Sequence, residues 1–138
     1  MMLQIALWPI LCGCVLLVDA PMNGDEEFRA DCSKPQTQME INDCASRDFQ
    51  AADQALNAQY RISRDALRKK DAAGGGTAEQ ALITAQRAWI SARDEQCQQD
   101  DFASGGGSMA ALEIANCKEE LTRSRTQELK DLAESVGK

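Results

Sequence analysis

The chain has 138 residues, enough for one domain with a single hydrophobic core. Its 22 Asp and Glu outnumber its 15 Lys and Arg, and the net charge of -7 argues against nucleic acid, whose phosphates repel an acidic surface. The absence of histidine excludes Ser-His-Asp and Cys-His catalysis in their usual forms. No spacing singles out a catalytic carboxylate pair, so we predict that the protein is not an enzyme. The acidic charge suits a basic protein partner, although it also serves solubility.

The beginning of the chain is apolar and carries no side-chain charge over residues 1–18, MMLQIALWPILCGCVLLV. Its length suits an export signal or a membrane anchor. Export is favoured, because four cysteines follow in a small hydrophilic domain. We therefore predict a signal peptide or lipoprotein signal over residues 1–20, a flexible leader over residues 21–31, and a periplasmic or secreted protein.

Within the apolar stretch, residues 11–14, LCGC, resemble a bacterial lipobox with Cys14 as the lipidated residue. The other interpretation is that Cys12 and Cys14 are small apolar residues in a signal that is removed. Contact with a membrane is expected only through such a lipid anchor.

Three helical segments follow, and strand signals are almost absent. The first helix is predicted from Pro35 or Thr37 to about Ala72, where a glycine tract ends it. Thr37 and Glu40 have the spacing of a capping box, in which each side chain accepts a hydrogen bond from the other residue's amide. Small and apolar residues recur at steps of three and four along one face, formed by Ala45, Phe49, Ala52, Leu56, Tyr60, Ser63 and Leu67.

The second helix is predicted from Thr77 to about Phe102, before a second glycine tract. Its apolar stripe is predicted to consist of Leu82, Ala85, Trp89, Ala92 and Gln96. A neighbouring stripe mixes polar and apolar side chains at helical spacing, namely Gln86, Trp89 or Ile90, Arg93 and Cys97. Since tryptophan and cysteine are usually buried, this stripe indicates a polar cluster held against the core.

The third helix is predicted to be capped by Ser108, and its inward face comprises Ile114, Cys117, Leu121, Arg125, Leu129, Leu132 and Val136. Because both loops between helices are short, consecutive helices should be antiparallel neighbours. The predicted fold is therefore all-α, with three elongated antiparallel helices that run up, down and up and are stapled by two disulfides.

Four cysteines, Cys32, Cys44, Cys97 and Cys117, remain after the leader and allow three pairings. Cys97 and Cys117 lie at nearly equal distances from the second glycine tract, so they face each other in a helix hairpin. This favours Cys97–Cys117 with Cys32–Cys44, while the alternative of Cys44–Cys97 with Cys32–Cys117 is nearly permitted by the other hairpin. Structural disulfides suit an oxidising compartment. Without a C-x-x-C pair or a histidine, we expect no metal site, and no cofactor is indicated.

An internal polar network is predicted around Arg93. Counting outward from the first glycine tract places Arg93 opposite Asn57, with Asp53 one turn away, and Trp89 opposite Tyr60. The planar guanidinium group of arginine can donate two hydrogen bonds to one carboxylate, so Arg93 is expected to contact Asp53 or Asn57. The network is interpreted as fixing the register of alanine-rich helices; the alternative is that it faces a ligand. Its predicted members are Asp53, Asn57, Tyr60, Gln86, Trp89, Arg93, Asp94 and Arg125.

These motifs resemble the LprI-type lysozyme-inhibitor domain, a family of small secreted or lipid-anchored bacterial proteins. The pattern Q-x-x-W-x-x-x-R-D-x-x-C at residues 86–97 is its most specific part. The resemblance covers about residues 32–132 and implies an LprI-like domain over residues 32–138. Its other elements are the early cysteine, TQMEINDC at 37–44, ADQALNAQY at 52–60, GGS at 106–108, and Cys117 followed by Thr122, Arg125 and Leu129.

The resemblance implies inhibition of lysozyme or another basic cell-wall hydrolase. The candidate contact is the glycine-rich loop QDDFASGGGS at 99–108, with Asp100, Asp101, Phe102 and Ser108 as its partner-binding residues. This loop is alternatively a simple helix connection. The alternative function is a noncatalytic periplasmic module that binds another protein or supports assembly without inhibiting an enzyme.

Overall fold

A computed structural model of the chain describes residues 29–103, 105, 107 and 109–138. The predicted signal, Cys14, most of the leader and Ser108 lie outside the described residues. Three helices form the described part: α1 spans Gln38–Gly74, α2 spans Ala78–Ala103 and α3 spans Ala110–Val136. No strand occurs among these residues, so the predicted all-α class is confirmed. None of the three helices carries an apolar stretch that is long enough to cross a bilayer.

The start of α1 is set by the predicted capping box. The amide of Glu40 donates to Thr37 Oγ1 at 3.2 Å, and the amide of Thr37 donates to Glu40 Oε2 at 2.9 Å. These bonds satisfy amides that lack partners inside the helix. At the other end, Gly75 adopts a left-handed conformation with φ of 73° and its amide donates to the Asp71 carbonyl. The chain can therefore turn sharply after α1.

The start of α2 depends on a residue of α1. Both carboxylate oxygens of Asp71 accept hydrogen bonds from α2, from the amide of Ala78 at 3.0 Å and from that of Glu79 at 2.8 Å. A carboxylate at this position also complements the positive end of the helix dipole. Asp71 thus ties the end of α1 to the beginning of α2 across the glycine turn.

The start of α3 follows the second glycine tract, and its predicted cap, Ser108, is not among the described residues. Met109 occupies the N-cap position without a side-chain cap hydrogen bond, and α3 begins at Ala110. The amide of Ala110 donates instead to the carbonyl of Gly107 at 3.2 Å. The backbone of the glycine turn therefore supplies an acceptor for the first amide of α3.

The helices run up, down and up, as predicted. Arg64 of α1 meets Glu79 of α2 near the first turn, and Cys97 of α2 meets Cys117 of α3 near the second. The outer helices α1 and α3 are consequently parallel, and they pack together more closely than either packs on α2. Small buried residues on α1, Ala45, Ala52 and Ser63, permit this close approach.

The hydrophobic core is built from leucines of all three helices: Leu56, Leu67, Leu82 and Leu129. The apolar stripe predicted for α2 is wrong in part, because Ala85, Ala92 and Gln96 are exposed. The buried stripe is the neighbouring one, formed by Leu82, Gln86, Arg93 and Cys97. Alanine has little apolar surface to bury, and the polar side chains find hydrogen-bond partners inside the bundle.

Two disulfide bonds crosslink the described part of the chain. Cys32 pairs with Cys44 at an S–S distance of 2.04 Å, and Cys97 pairs with Cys117 at 2.06 Å. The favoured pairing is therefore present, and the alternative pairing is excluded. One disulfide joins α2 to α3, while the other fastens the residues before α1 to the second turn of that helix.

Candidate functional site

A buried guanidinium group lies at the junction of the three helices. Arg93 of α2 is only 6% exposed. Its Nη1 donates to Asp53 Oδ1 on α1 at 3.3 Å and to Thr122 Oγ1 on α3 at 3.1 Å. Its Nε donates to Asp94 Oδ1 at 2.9 Å. One side chain therefore connects all three helices, and its buried charge is compensated by two carboxylates.

Aromatic rings enclose the same guanidinium. The Cζ atom of Arg93 lies 5.1 Å from the centroid of the Phe49 ring and 5.2 Å from that of Trp89. Both distances are within the range of cation–π attraction. The rings shield the charge from water while their electron-rich faces compensate it. This arrangement explains how an arginine stays inside a small helical bundle.

The two carboxylates of the cluster reach the surface. The side chains of Asp53 and Asp94 are 40% and 38% exposed. Lys118 Nζ lies 3.3 Å from Asp94 Oδ1. Partial burial raises the pKa of Asp94, but the hydrogen bond and charge of Arg93, together with Lys118, outweigh this effect and leave the pKa below its ordinary value of 3.8. Asp94 is therefore a fixed negative charge rather than a proton donor at neutral pH.

A second polar contact extends the cluster along α3. Arg125 Nε donates to Gln86 Oε1, which is buried on α2, at 3.0 Å. The Arg125 guanidinium also lies 5.8 Å from the centroid of the Trp89 ring, and its Nη1 donates to Glu128 Oε2 at 2.7 Å. Trp89 thus lies against both arginines, and it links the two polar contacts into one network.

The remaining predicted members occupy different positions. Asn57 donates to Asp53 Oδ2 at 2.9 Å within α1, so it orients the carboxylate and does not bind Arg93. Tyr60 lies further along the bundle, where it packs on the leucine core. Arg64 lies over its ring at 5.7 Å and pairs with Glu79 at 2.7 Å. The structure therefore brings seven of the eight predicted residues together and leaves Tyr60 outside.

Three members of the cluster, Phe49, Lys118 and Thr122, were not predicted. Phe49 was placed on the inward stripe of α1, but its contact with Arg93 was not foreseen. Thr122 is fully buried and bonds Arg93, whereas the predicted stripe contained its neighbour Leu121. The sequence signal for Thr122 is its place in the motif after Cys117, where it stands with Arg125 and Leu129.

The candidate loop, residues 99–108, overlaps the end of α2. The backbone of Asp100, Asp101 and Phe102 is helical, so these residues form the last turn of α2. Gly105 and Gly107 follow with positive φ values of 92° and 112°, a conformation that glycine adopts easily. The Cys97–Cys117 disulfide lies just before this turn and braces the end of the bundle that carries the loop. No group of metal-ligating side chains occurs among the residues that the structure describes.

The comparisons with known proteins identify the family. The family model described as "Lysozyme inhibitor LprI" matches residues 29–129. The chain belongs to this LprI family. It is also 44% identical over 129 residues to "Uncharacterized protein R02472" of Rhizobium meliloti (strain 1021), a match that covers 88% of this chain and 91% of the relative. No solved structure matches the chain. The region matched by the LprI model contains both disulfides and the whole Arg93 network.

Proposed function

We propose that this chain binds a basic cell-wall hydrolase of the lysozyme class and blocks its activity. The observation that carries the proposal is the match of residues 29–129 to the lysozyme-inhibitor family. At the level of the family, the function is inhibition by binding rather than catalysis. A protein that inhibits in this way must present a stable surface, and a bundle clamped by two disulfides meets that requirement.

The distribution of charge along the bundle supports a basic partner. One half of the bundle contains both disulfides and consists of residues 29–56 and 90–122. This half has twelve acidic and five basic residues. The opposite half, residues 57–89 and 123–138, has ten basic against six acidic residues. A cationic enzyme would therefore be attracted to the disulfide half and turned toward it during encounter.

The proposed contact with the hydrolase is the loop at residues 99–108, which lies at the acidic end. Asp100 and Asp101 would meet the cationic surface, Phe102 would supply apolar contact, and Ser108 would contribute a hydrogen bond. An aromatic anchor surrounded by polar groups is typical of residues that dominate binding energy. The Arg93 network would act indirectly, because it fixes the register of α2 and so positions this loop.

The direct test is a titration of the oxidised protein into a lysozyme assay that follows the clearing of a bacterial cell-wall suspension. We expect saturable inhibition at low salt that weakens at high salt, since screening reduces attraction between exposed charges. The absence of inhibition at micromolar excess in low salt would overturn the proposal. A stable partner recovered from envelope extracts in that case would favour the noncatalytic binding module instead.

The loop can be tested with charge-matched variants. Asp100→Asn with Asp101→Asn removes two negative charges at the acidic end, and Phe102→Ala removes the apolar anchor. We expect this triple variant to weaken inhibition by about tenfold or more, because central anchor residues commonly contribute over 1 kcal/mol each. The control is Asp131→Asn with Glu134→Gln, which removes the same charge from exposed positions near the far end of α3. Equal losses in both variants would exclude the loop as the contact.

Export is part of the same proposal, because a cell-wall hydrolase acts outside the cytoplasm. The signal over residues 1–20 and lipidation at Cys14 are tested by the mass of the mature protein purified from the envelope fraction. Cleavage with a lipid on Cys14 gives a lipoprotein held at the membrane, and cleavage near residue 20 gives a periplasmic or secreted protein. Retention of residues 1–20 in a cytoplasmic protein would contradict export.

A further inference from the structure

The two disulfides lie in different surroundings. Cys97 is only 1% exposed, in the interface between α2 and α3. Cys32 is exposed and precedes α1, and its partner Cys44 is half-buried. A thiol reagent in solution can therefore reach Cys32 without unfolding the bundle. In the other bond, Cys97 is buried and Cys117 is half-buried, so neither sulfur belongs to an exposed residue.

A guanidinium group lies against both sulfur atoms of the exposed disulfide. Arg47 Nη2 lies 3.5 Å from Cys44 Sγ and also contacts Cys32 Sγ. The same nitrogen donates to the carbonyl of Ala30 at 2.5 Å. On the other side, Asp43 Oδ2 accepts from the amide of Ala30 at 3.1 Å and lies 3.3 Å from Arg47 Nε. Arg47 is therefore held beside the sulfurs by neighbours that do not depend on the S–S bond.

This contact changes the chemistry of the bond. A neighbouring cation stabilises a thiolate and lowers the pKa of the corresponding thiol. In thiol–disulfide exchange, a sulfur with a lower thiol pKa leaves faster. An exposed disulfide with a cation beside its leaving sulfur is consequently reduced more readily than a buried one.

We propose that Cys32–Cys44 is a thiol–disulfide exchange site that accepts dithiol reductants, with Arg47 stabilising the thiolate that leaves. A reductant thiolate attacks the exposed Cys32 Sγ and forms a mixed disulfide, while the Cys32–Cys44 bond breaks and Cys44 leaves as a thiolate. The second thiolate of the reductant then attacks the reductant sulfur of the mixed disulfide, and Cys32 is released as a thiolate. Two electrons pass from the dithiol, which becomes a disulfide, and its two protons pass to solvent or to the cysteine sulfurs.

Reduction would release only a local segment. The start of α1 is held by the Thr37–Glu40 capping box and by the amide of Gln36, which donates to Glu40 Oε2. These bonds do not involve the cysteines. Exchange would thus release residues 31–35 from α1, while Gln36 keeps its bond to Glu40 and Ala30 keeps its contacts with Asp43 and Arg47. The three-helix bundle would stay assembled. The site is a redox-sensitive crosslink that holds the residues before α1 against that helix, at the acidic end of the bundle.

The test is partial reduction of the oxidised, folded protein with dithiothreitol. Samples are quenched with an alkylating reagent, and the labelled cysteines are quantified by peptide mass spectrometry. We expect Cys32 and Cys44 to be labelled together, about tenfold or more faster than Cys97 and Cys117, which serve as the internal reference. Far-UV circular dichroism should show unchanged helix content at that stage. Equal labelling rates for both pairs, or loss of helix with the first reduction, would overturn the proposal.

The role of Arg47 is tested by substitution. Arg47→Gln should slow reduction of Cys32–Cys44 by about three- to fivefold, because the leaving thiolate loses its cation, while Arg47→Lys should retain most of the rate. Arg61→Gln, at an exposed position of the same helix, should leave the rate unchanged. In the reduced protein, the pH dependence of alkylation gives the thiol pKa, which we expect to be below about 8.5 for Cys44. An unchanged rate and pKa in Arg47→Gln would contradict the assignment of Arg47.

Discussion

Arg93 Nη1 donates to Thr122 Oγ1 at 3.1 Å, across the interface between α2 and α3. Thr122 is fully buried and Arg93 nearly so. The same nitrogen reaches Asp53 on α1, so the relative height of all three helices is fixed at one point. In helices rich in alanine, whose smooth surfaces allow many packing registers, a directional bond of this kind selects one of them.

Loss of the Arg93 side chain is expected to destabilise the bundle. Arg93→Ala removes the bonds to Asp53, Asp94 and Thr122 and leaves a cavity between Phe49 and Trp89. We expect the free energy of unfolding to fall by about 2–4 kcal/mol in urea denaturation followed by circular dichroism. Arg93→Lys, which keeps the charge without the planar fork, should lose about 1–2 kcal/mol.

The control for this prediction is Arg87→Ala, at an exposed position of α2. It removes the same side chain and charge without touching the network, so its effect should stay within about 0.5 kcal/mol. An Arg93→Ala protein as stable as the Arg87→Ala protein would show that the network does not stabilise the fold.

Ser63 limits how closely α1 and α3 can approach. Its side chain is fully buried, and Oγ donates to the carbonyl of Leu129 at 2.7 Å. Ser63→Leu should force the helices apart and lower the free energy of unfolding by about 1–3 kcal/mol. Ser124→Leu, at an exposed position of α3, should be nearly neutral. If both leucine variants unfold at the same urea concentration as the wild type, the interface is not closely packed there.

Two neighbouring glycines should respond in opposite directions to alanine. Gly74 is the last residue of α1 and has space for a Cβ atom, so Gly74→Ala should stabilise by about 0.4–1 kcal/mol. Gly75 has a φ of 73°, and Gly75→Ala should destabilise by about 1 kcal/mol because a Cβ atom is strained there. Thermal unfolding of the two variants compares them directly. A lower melting temperature for Gly74→Ala than for Gly75→Ala would contradict the conformation of this turn.

The pairing of Asp94 with Arg93 predicts a dependence of stability on pH. The pKa of Asp94 is lower in the folded state than its ordinary value of 3.8, so its contribution is complete above that pH and is lost as the pH falls through the folded value. Asp94→Asn should therefore be less stable than the wild type at neutral pH, with a difference that shrinks below pH 3.8. Urea denaturation across this range measures it. A difference that stays constant with pH would show that the ion pair contributes no stability.

Contacts between helices joined by a short turn could be predicted from the sequence. The distances of Cys97 and Cys117 from their glycine tract indicated their pairing, and counting from the first turn placed Arg93 near Asp53. The spacing of Thr37 and Glu40 likewise predicted the start of α1. In each case the chain connects the partners directly, so a count along two helices gives their relative height.

Contacts between the parallel helices α1 and α3 could not be predicted in the same way. The bond from Ser63 to Leu129 joins residues that are 66 positions apart, and no single turn sets their register. The rotation of α2 was also uncertain, because its two candidate stripes differ by one position. The partners of Arg93 and Gln86 decide between the stripes, and those partners, Thr122 and Arg125, lie on α3.

Isothermal titration calorimetry measures directly whether this member of the LprI family binds a lysozyme-class hydrolase. The oxidised protein is titrated into a basic, animal-type lysozyme at low salt, without any assay of activity. We expect saturable binding with one-to-one stoichiometry and an affinity that weakens as the salt concentration increases. Heats no larger than those of dilution at micromolar concentrations, with both disulfides verified intact, would contradict it.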